Sequence, residues 1–247
     1  MTEAAPPFPD PASHAIFLDF DGTLVDFAED PEAVTLDTPV RETLDRLHTR
    51  FSGALALVSG RAVASLDRLT APLRLPAAGV HGLEMRVRDT VTTNEEEAAR
   101  LKPARALLER EMGDGERIRV EDKGGAIVLH YRGAPEAADR ARTLAEAAAG
   151  EDVGLVATSG HAIAEIRPKA ITKAGAIAML LDHAPFAGRL PVFLGDDVTD
   201  EDGFRAAQDA GGYGIKVGEG ETAARYRLAS IAAVHEWLAS GCAETGA

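Results

Sequence analysis

Apolar positions follow two styles along this chain. Residues 15–20, 54–58, 77–80 and 190–194 are short, nearly unbroken apolar runs, the pattern of strands buried on both faces of a parallel sheet. Residues 213–217 read as a further strand. Residues 38–50, 62–69, 172–181 and 200–210 predict helices, the first opened by Asp37-Thr38-Pro39, where a capping residue precedes a proline that fits the first turn. Residues 221–227 and 233–240 are also read as helices. Between 95 and 167 the style changes. Residues 95–112 and 135–149 carry helical periodicity, while 117–122 with 126–132 alternate around Lys123-Gly124-Gly125, and 154–158 with 162–167 around Ser159-Gly160. That sequence of elements is a repeated α-β-β unit with an antiparallel sheet. The pattern therefore predicts an α/β domain built from both ends of the chain, residues 1–90 and 168–247, with a smaller α+β domain, residues 91–167, inserted.

Composition agrees with a globular protein: 247 residues, 45% hydrophobic and 27% charged. With 26 Lys+Arg against 40 Asp+Glu, the net charge is −14, which disfavours a nucleic-acid partner because phosphate-backbone affinity needs a basic face. A phosphate-bearing ligand must be held by a local basic cluster or by a metal. The single cysteine, Cys242, excludes an internal disulfide and speaks against a Cys-based zinc site. Residues 1–14 are rich in Pro and Ala without a basic start, so they read as a loose arm and not a signal peptide. No apolar stretch approaches the ~20 residues that span a bilayer. The expectation is a cytoplasmic monomer, with no membrane or nucleic-acid partner, acting on a small molecule.

Three predicted strands of the outer domain end in polar residues: Asp19 and Asp21, Ser59, and Asp196 with Asp197 and Asp200. Ligands of open parallel sheets bind beyond the carboxyl ends of the strands. A single Asp there is most simply a turn or helix cap, but several on one crest repel each other unless a cation sits among them. Hard oxygen ligands with an open coordination shell suit Mg²⁺, and an Asp in such a setting can attack phosphorus.

Phe17-Leu18-Asp19-Phe20-Asp21-Gly22-Thr23-Leu24 resembles the first motif of the haloacid-dehalogenase-like phosphohydrolases, D-x-D-G-T after a hydrophobic strand. Val58-Ser59-Gly60-Arg61, Lys173 after the insertion, and Gly195-Asp196-Asp197-Val198-Thr199-Asp200 follow in the family's order. Within that superfamily the chain is similar to the trehalose-6-phosphate phosphatases at Gly195 to Glu201, Ala78-Gly79-Val80-His81-Gly82-Leu83-Glu84, Val120-Glu121-Asp122-Lys123-Gly124, His130-Tyr131-Arg132 and Glu165-Ile166-Arg167-Pro168. The resemblance implies a Rossmann-like core whose insert is a lid, and Mg²⁺-dependent hydrolysis of trehalose 6-phosphate through an aspartyl phosphate. It implies Asp19 as nucleophile and Mg²⁺ ligand, and Asp21 as general acid/base that gives the metal its backbone carbonyl. Ser59 and Lys173 would hold the phosphoryl group, Asp196 would ligate the metal directly, and Asp200 would act on its water shell. Arg61, His81, Gly82, Glu84, Lys123, His130, Arg132 and Glu165 are the candidates for substrate binding, with Arg61 also readable as a residue that supports the site from behind or as a helix-start residue.

In Arg167-Pro168-Lys169-Ala170-Ile171-Thr172-Lys173-Ala174, Ala replaces both glycines of the family's R-P-x-G-x-x-K-G. Lys169 and Lys173 are thus rival phosphate lysines, and Lys173 is preferred because it opens a helix. Lys123 also reads as an exposed hairpin tip, and Arg132 with Glu165 as a solvated cross-strand pair. Other sugar phosphates, such as sucrose phosphate or a glycosyl phosphoglycerate, remain alternatives, as does a phospho-accepting signalling domain that holds phosphate without turning it over.

Overall fold

The structure, a computed structural model, describes residues 5–26, 34–113, 115–160 and 162–242. In chain order its elements begin with β1 (His14–Leu18), α1 (Thr38–Arg50), β2 (Leu55–Val58), α2 (Val63–Thr70), β3 (Ala77–Gly79), β4 (Glu84–Arg86) and β5 (Val91–Thr93). The middle of the chain holds α3 (Glu95–Ala99), α4 (Leu101–Glu111), β6 (Arg119–Asp122), β7 (Ile127–His130), α5 (Ala138–Ala149), β8 (Leu155–Gly160) and β9 (Ile163–Pro168). It closes with α6 (Lys173–Leu181), β10 (Leu190–Gly195), α7 (Glu201–Asp209), β11 (Tyr213–Val217), β12 (Tyr226–Leu228) and α8 (Ile231–Ser240). Contacts divide it into two units, Met1–Val91 with Thr172–Ala247, and Thr92–Ile171.

The first unit is a mixed sheet in the order β12-β11-β10-β1-β2-β3-β4-β5. The strands from β12 to β3 pair in parallel, and β4 is antiparallel to β3. From β1 the chain moves to β2 and β3 on one side, then returns to β10, β11 and β12 on the other. The order therefore reverses between β1 and β10, where open α/β sheets place their ligands. Ala15, Ile16, Phe17 and Leu18 are all 0% exposed, as an unbroken apolar strand requires. Phe17 stacks on Phe186, and Phe193 packs against Phe204, each at 5.4 Å between ring centroids. Each such ring contributes about 1.5–3 kcal/mol by leaving water.

The second unit is an antiparallel sheet, β6-β7-β9-β8, with α4 and α5 against one face. Ile127, Leu129, Ala164, Ile166 and Leu155 share a core with Leu101, Leu107, Leu108 and Leu144 of those helices. The mixed α/β class with an α+β insert is as expected. No helix among the described residues is long and apolar enough to cross a membrane.

Three local expectations are corrected. The helix read over 95–112 is two, α3 and α4, because Pro103 lacks the N–H that a continuous helix would need and so tolerates only a first turn. Residues 221–227 are not a helix. Ala223 N–H donates to Glu201 Oε2 at 2.7 Å, Ala223 C=O accepts from Gln208, and Tyr226–Leu228 pair with β11 as an edge strand. The N-terminal segment is tied down over its described part: Pro6 and Pro7 carbonyls accept from Trp237 Nε1 and the Tyr213 hydroxyl, and Phe8 lies 4.8 Å from Trp237. Residues 1–4 of that arm lie outside the described residues. The strands β4 and β5, for which the sequence carried no expectation, and β12 have three residues each, too few to show an alternation.

Candidate active site

The order β10-β1-β2 carries Asp196, Asp19 and Ser59 past the carboxyl ends of three adjacent strands. Asp19 N–H donates to Leu194 C=O at 2.9 Å and Ser59 N–H to Ala78 C=O at 2.9 Å, so each residue is held by one more ladder bond beyond its strand. After Asp19 the chain turns sharply at Gly22. Its φ is +76°, and a Cβ there would lie 2.1 Å from Asp196 Oδ2, so only glycine lets the two loops approach. Asp19 and Ser59 are buried, at 5% and 1% exposure.

Lys173 is the first residue of α6, whose start is capped by the Thr172 hydroxyl accepting from Gly175 N–H at 3.1 Å. The lysine is buried. Its Nζ lies 3.0 Å from Asp19 Oδ1 and 2.5 Å from Asp200 Oδ1. Lys169, its rival in the sequence, instead donates to the Val153 carbonyl at 2.8 Å and is exposed, so Lys173 is the lysine that joins the carboxylates. Asp200 is 0% exposed, and its Oδ2 accepts from the N–H groups of Asp196 and Asp197, each at 3.0 Å. Both its oxygens are therefore engaged in holding Lys173 and the β10–α7 loop.

Asp19, Asp196 and Asp200 each present a carboxylate oxygen within 4.8 Å of the others. Burial pushes the Asp19 carboxyl well above its usual range, with the neighbouring acids adding to the effect and Lys173 opposing it. Burial and the Asp200 charge push Asp196 up to about 6. Lys173 is driven the other way from what burial alone would do, because Asp19 and Asp200 outweigh its desolvation and hold it charged. One ammonium among three carboxylates leaves an acidic excess, which a divalent cation with oxygen ligands would balance. The donor set fits such an ion, with Asp19 and Asp196 the better placed ligands because Asp200 is already engaged. The Asp21 carboxylate is outside this group. It forms a two-pronged pair with Arg61, Nε to Oδ2 and Nη2 to Oδ1, both at 2.6 Å.

The other candidates of this unit sit around the β2 and β3 ends. Val80 and His81 have φ of 47° and 57°, a left-handed turn that is rare for a β-branched residue. It places the buried His81 ring against the Ser59-Gly60 loop, where a Cβ on Gly60 would be 2.9 Å from Nε2. Gly82, at φ +111°, packs on α6, with a Cβ position 2.8 Å from Ala176 Cβ. Glu84 Oε2 accepts from Val63 N–H at 2.7 Å, so in this structure it satisfies the first turn of α2.

Lys123, His130, Arg132 and Glu165 belong to the inserted unit. Registers Glu121↔Val128↔Glu165↔Thr158 and Arg119↔His130 put Glu121, His130 and Glu165 on the sheet face opposite α4 and α5, and Lys123, two residues past Glu121, continues that row. Arg132 follows just beyond the end of β7. His130 Nε2 lies 2.6 Å from Glu121 Oε2, and that hydrogen bond is the main cause holding the Glu121 carboxyl below its usual range.

Two side chains with a place in this chemistry carried no expectation. Glu121 stood inside a quoted motif, and strand alternation with His130 was the signal that would have found it. Lys216, on β11, is 6% exposed. Its ammonium donates to the Asp196 carbonyl and, at 3.0 Å, to that of Val217. A lysine inside an apolar strand was its only sequence signal.

A family model described as trehalose-phosphatase matches residues 17–232. The trehalose-6-phosphate phosphatase of Escherichia coli (strain K12) is 38% identical over 240 residues, covering 96% of this chain and 90% of that protein. A probable trehalose-phosphate phosphatase of Sinorhizobium fredii (strain NBRC 101917 / NGR234) is 40% identical over 207 residues, covering 83% and 77%. The C-terminal domain of C. albicans trehalose-6-phosphate phosphatase superposes with a TM-score of 0.79 over 98% of this chain and 99% of that one. At 20% identity that likeness speaks for the fold alone. With its motif residues gathered on one strand crest and relatives matched over most of their length, the chain belongs to the trehalose-phosphatase family.

Proposed function

We propose that this chain hydrolyses trehalose 6-phosphate to trehalose and inorganic phosphate, using Mg²⁺ and a phosphoryl group carried on Asp19. The observation that supports this most is the buried triad of Asp19, Lys173 and Asp200 beside Asp196, set in a chain of this family. Lys173 engages Oδ1 of Asp19, and the second carboxylate oxygen attacks phosphorus. The bond from phosphorus to the sugar oxygen breaks as Asp21 gives its proton to that oxygen. A water then attacks phosphorus and loses its proton to Asp21, the bond to Asp19 breaks, and phosphate leaves. Lys173 and the Ser59 hydroxyl hold the transferring group and offset its charge. Asp19, Asp196 and the Asp21 carbonyl would hold Mg²⁺, with Asp200 positioning the loop and the water around it. When bound, the ion neutralises phosphate charge and orients the phosphoryl oxygens. Lys123, His130, Arg132 and Glu165 of the inserted unit, and separately His81, Gly82 and Glu84 of the first unit, are the proposed groups for sugar hydroxyls.

The net charge of −14 supports a small-molecule substrate over a nucleic acid, and our reading is of a cytoplasmic monomer. The test is phosphate release with Mg²⁺ from trehalose 6-phosphate, sucrose 6-phosphate, glucose 6-phosphate and p-nitrophenyl phosphate, each with an EDTA control. We expect a preference for trehalose 6-phosphate, by at least about 10²-fold in kcat/KM if the site hydrogen-bonds the second sugar, and loss of turnover in EDTA. Equal turnover of all four would leave a phosphatase core without this substrate. A single, stoichiometric phosphorylation with no release would favour the phospho-accepting domain.

A further inference from the structure

We infer that Arg61 is a positioning residue for Asp21, and that its side chain sets the line along which Asp21 delivers and receives its proton. This rests on the reading above, in which Asp21 is the acid and base of the reaction. The sequence leaves Arg61 between substrate binding, a helix start and a supporting place behind the site, and its geometry points to the supporting place, with Asp21 as the group it serves.

Arg61 follows Ser59-Gly60 at the end of β2 and is rooted on both sides of its own backbone. Its N–H donates to Ser59 Oγ at 3.2 Å, and its C=O accepts from Val80 N–H at 2.9 Å. The side chain is only 10% exposed, and its guanidinium carbon lies 5.7 Å from the centroid of the Phe20 ring. From this seat the fork meets Asp21 with Nε on Oδ2 and Nη2 on Oδ1, both at 2.6 Å. A single bond would fix a distance. Two parallel bonds also fix the rotation of the carboxylate plane. Here two of the guanidinium's five N–H groups are spent on a residue of the same chain.

Asp21 needs such a partner. It sits two residues past Asp19 and beside the Gly22 turn, with a side chain 23% exposed and two rotatable bonds. In the first step its O–H proton passes to the sugar oxygen while the bond from phosphorus to that oxygen breaks. In the second, a water proton passes to the Asp21 carboxylate while the water oxygen bonds to phosphorus and the bond to Asp19 breaks. Arg61 exchanges no proton in either step. Its contribution is orientation, and misplacement of a reacting group by ~1 Å can cost about 10²-fold in rate.

The test compares leaving groups. p-Nitrophenolate departs without a proton, whereas a sugar alkoxide needs one. In R61A, kcat/KM for trehalose 6-phosphate should fall about 10²-fold or more, the scale of general acid catalysis, and that for p-nitrophenyl phosphate less than about tenfold. R61K should recover little, since a lysine supplies charge without the fork. Guanidinium ion added to R61A should restore part of the lost rate, which a misfolded protein would not allow. In a D21N background, R61A should cost nothing further. An equal loss on both substrates would overturn the inference in favour of a phosphate contact. A rise in KM at constant kcat, with the full loss repeated in the D21N background, would overturn it in favour of a sugar contact. If D21N alone turns over like the unmodified chain, the reading of Asp21 itself fails, an outcome separate from both of these.

Discussion

A lysine as buried as Lys173 ordinarily loses its proton to desolvation. Here it keeps it, because Asp19 and Asp200 lie 3.0 Å and 2.5 Å from its ammonium. The same pair accounts for Asp200 being tolerated at 0% exposure. Replacing Lys173 by Met would leave two buried carboxylates without their cation, and removing one partner of a buried pair costs about 3–5 kcal/mol. Urea melts of K173M should show that loss, and turnover should fall by at least about 10²-fold, the effect of deleting one group that stabilises transition-state charge. A variant that melts like the unmodified chain would mean that the two carboxylates are relieved in some other way. At this scale the sequence was informative wherever a residue type implies a chemistry: Asp19, Ser59 and Asp196 each follow a strand end, and all three were legible. Between Lys169 and Lys173 the sequence left a choice. Four positions along the chain separate the two, but only the packing of α6 against α7, β2 and the Val80–Gly82 turn puts one of them among the carboxylates.

At the scale of elements, Glu84 shows a side chain serving the fold. Its Oε2 accepts from Val63 N–H at 2.7 Å, where α2 has no capping side chain at Ala62. E84A should cost about 1 kcal/mol, the usual worth of a helix N-terminal cap, seen as a drop of a few degrees in Tm. KM for the sugar phosphate then reports separately on any contact with substrate. The strand β6 makes a prediction about acid. Hydrogen bonds from His130 and Arg105 hold Glu121 and Asp122 below their ordinary values of 4.5 and 3.8. Carboxyls depressed in the folded state stabilise it fully above those ordinary values, and that contribution is lost as the pH falls through them and below. Between about pH 6 and about pH 3.5, urea melts of E121Q/D122N should therefore lose less stability than those of the unmodified chain. Parallel curves would show that the two bonds contribute nothing. Elements of this length were legible when they repeated a period. The break at Arg100 and the strand in place of a helix at 221–227 were not, because Pro103 and the Glu201–Ala223 and Gln208–Ala223 bonds override a pattern that by itself favours helix.

At the scale of the molecule, two hydrophobic cores are kept apart in the sequence by their periods. The outer core is built on strands such as β1 and β10, the inner on Leu101, Leu129 and Ile166. Leu129, 0% exposed, belongs to the inner core alone. L129A should destabilise that unit by about 2–5 kcal/mol, and hydrogen exchange should rise within residues 92–171 while β1 and β10 stay protected. Uniform exchange across both units would show instead that they unfold as one.

The alternation of apolar and polar residues was enough by itself to specify a parallel sheet from the two ends of the chain and an antiparallel one between them. A strand buried on two faces has no polar positions, and one buried on a single face must alternate. Residue type and motif order were enough to put the carboxylates and the serine at strand ends and to name the family. The sequence could not say what each polar group touches. That Asp200 spends both its oxygens within the protein, that Lys216 reaches the Asp196 carbonyl from β11, and that Arg61 closes on Asp21 depend on strands brought side by side from distant parts of the chain. Hydrogen bonds form between atoms at about 3 Å, and only the tertiary fold sets such distances.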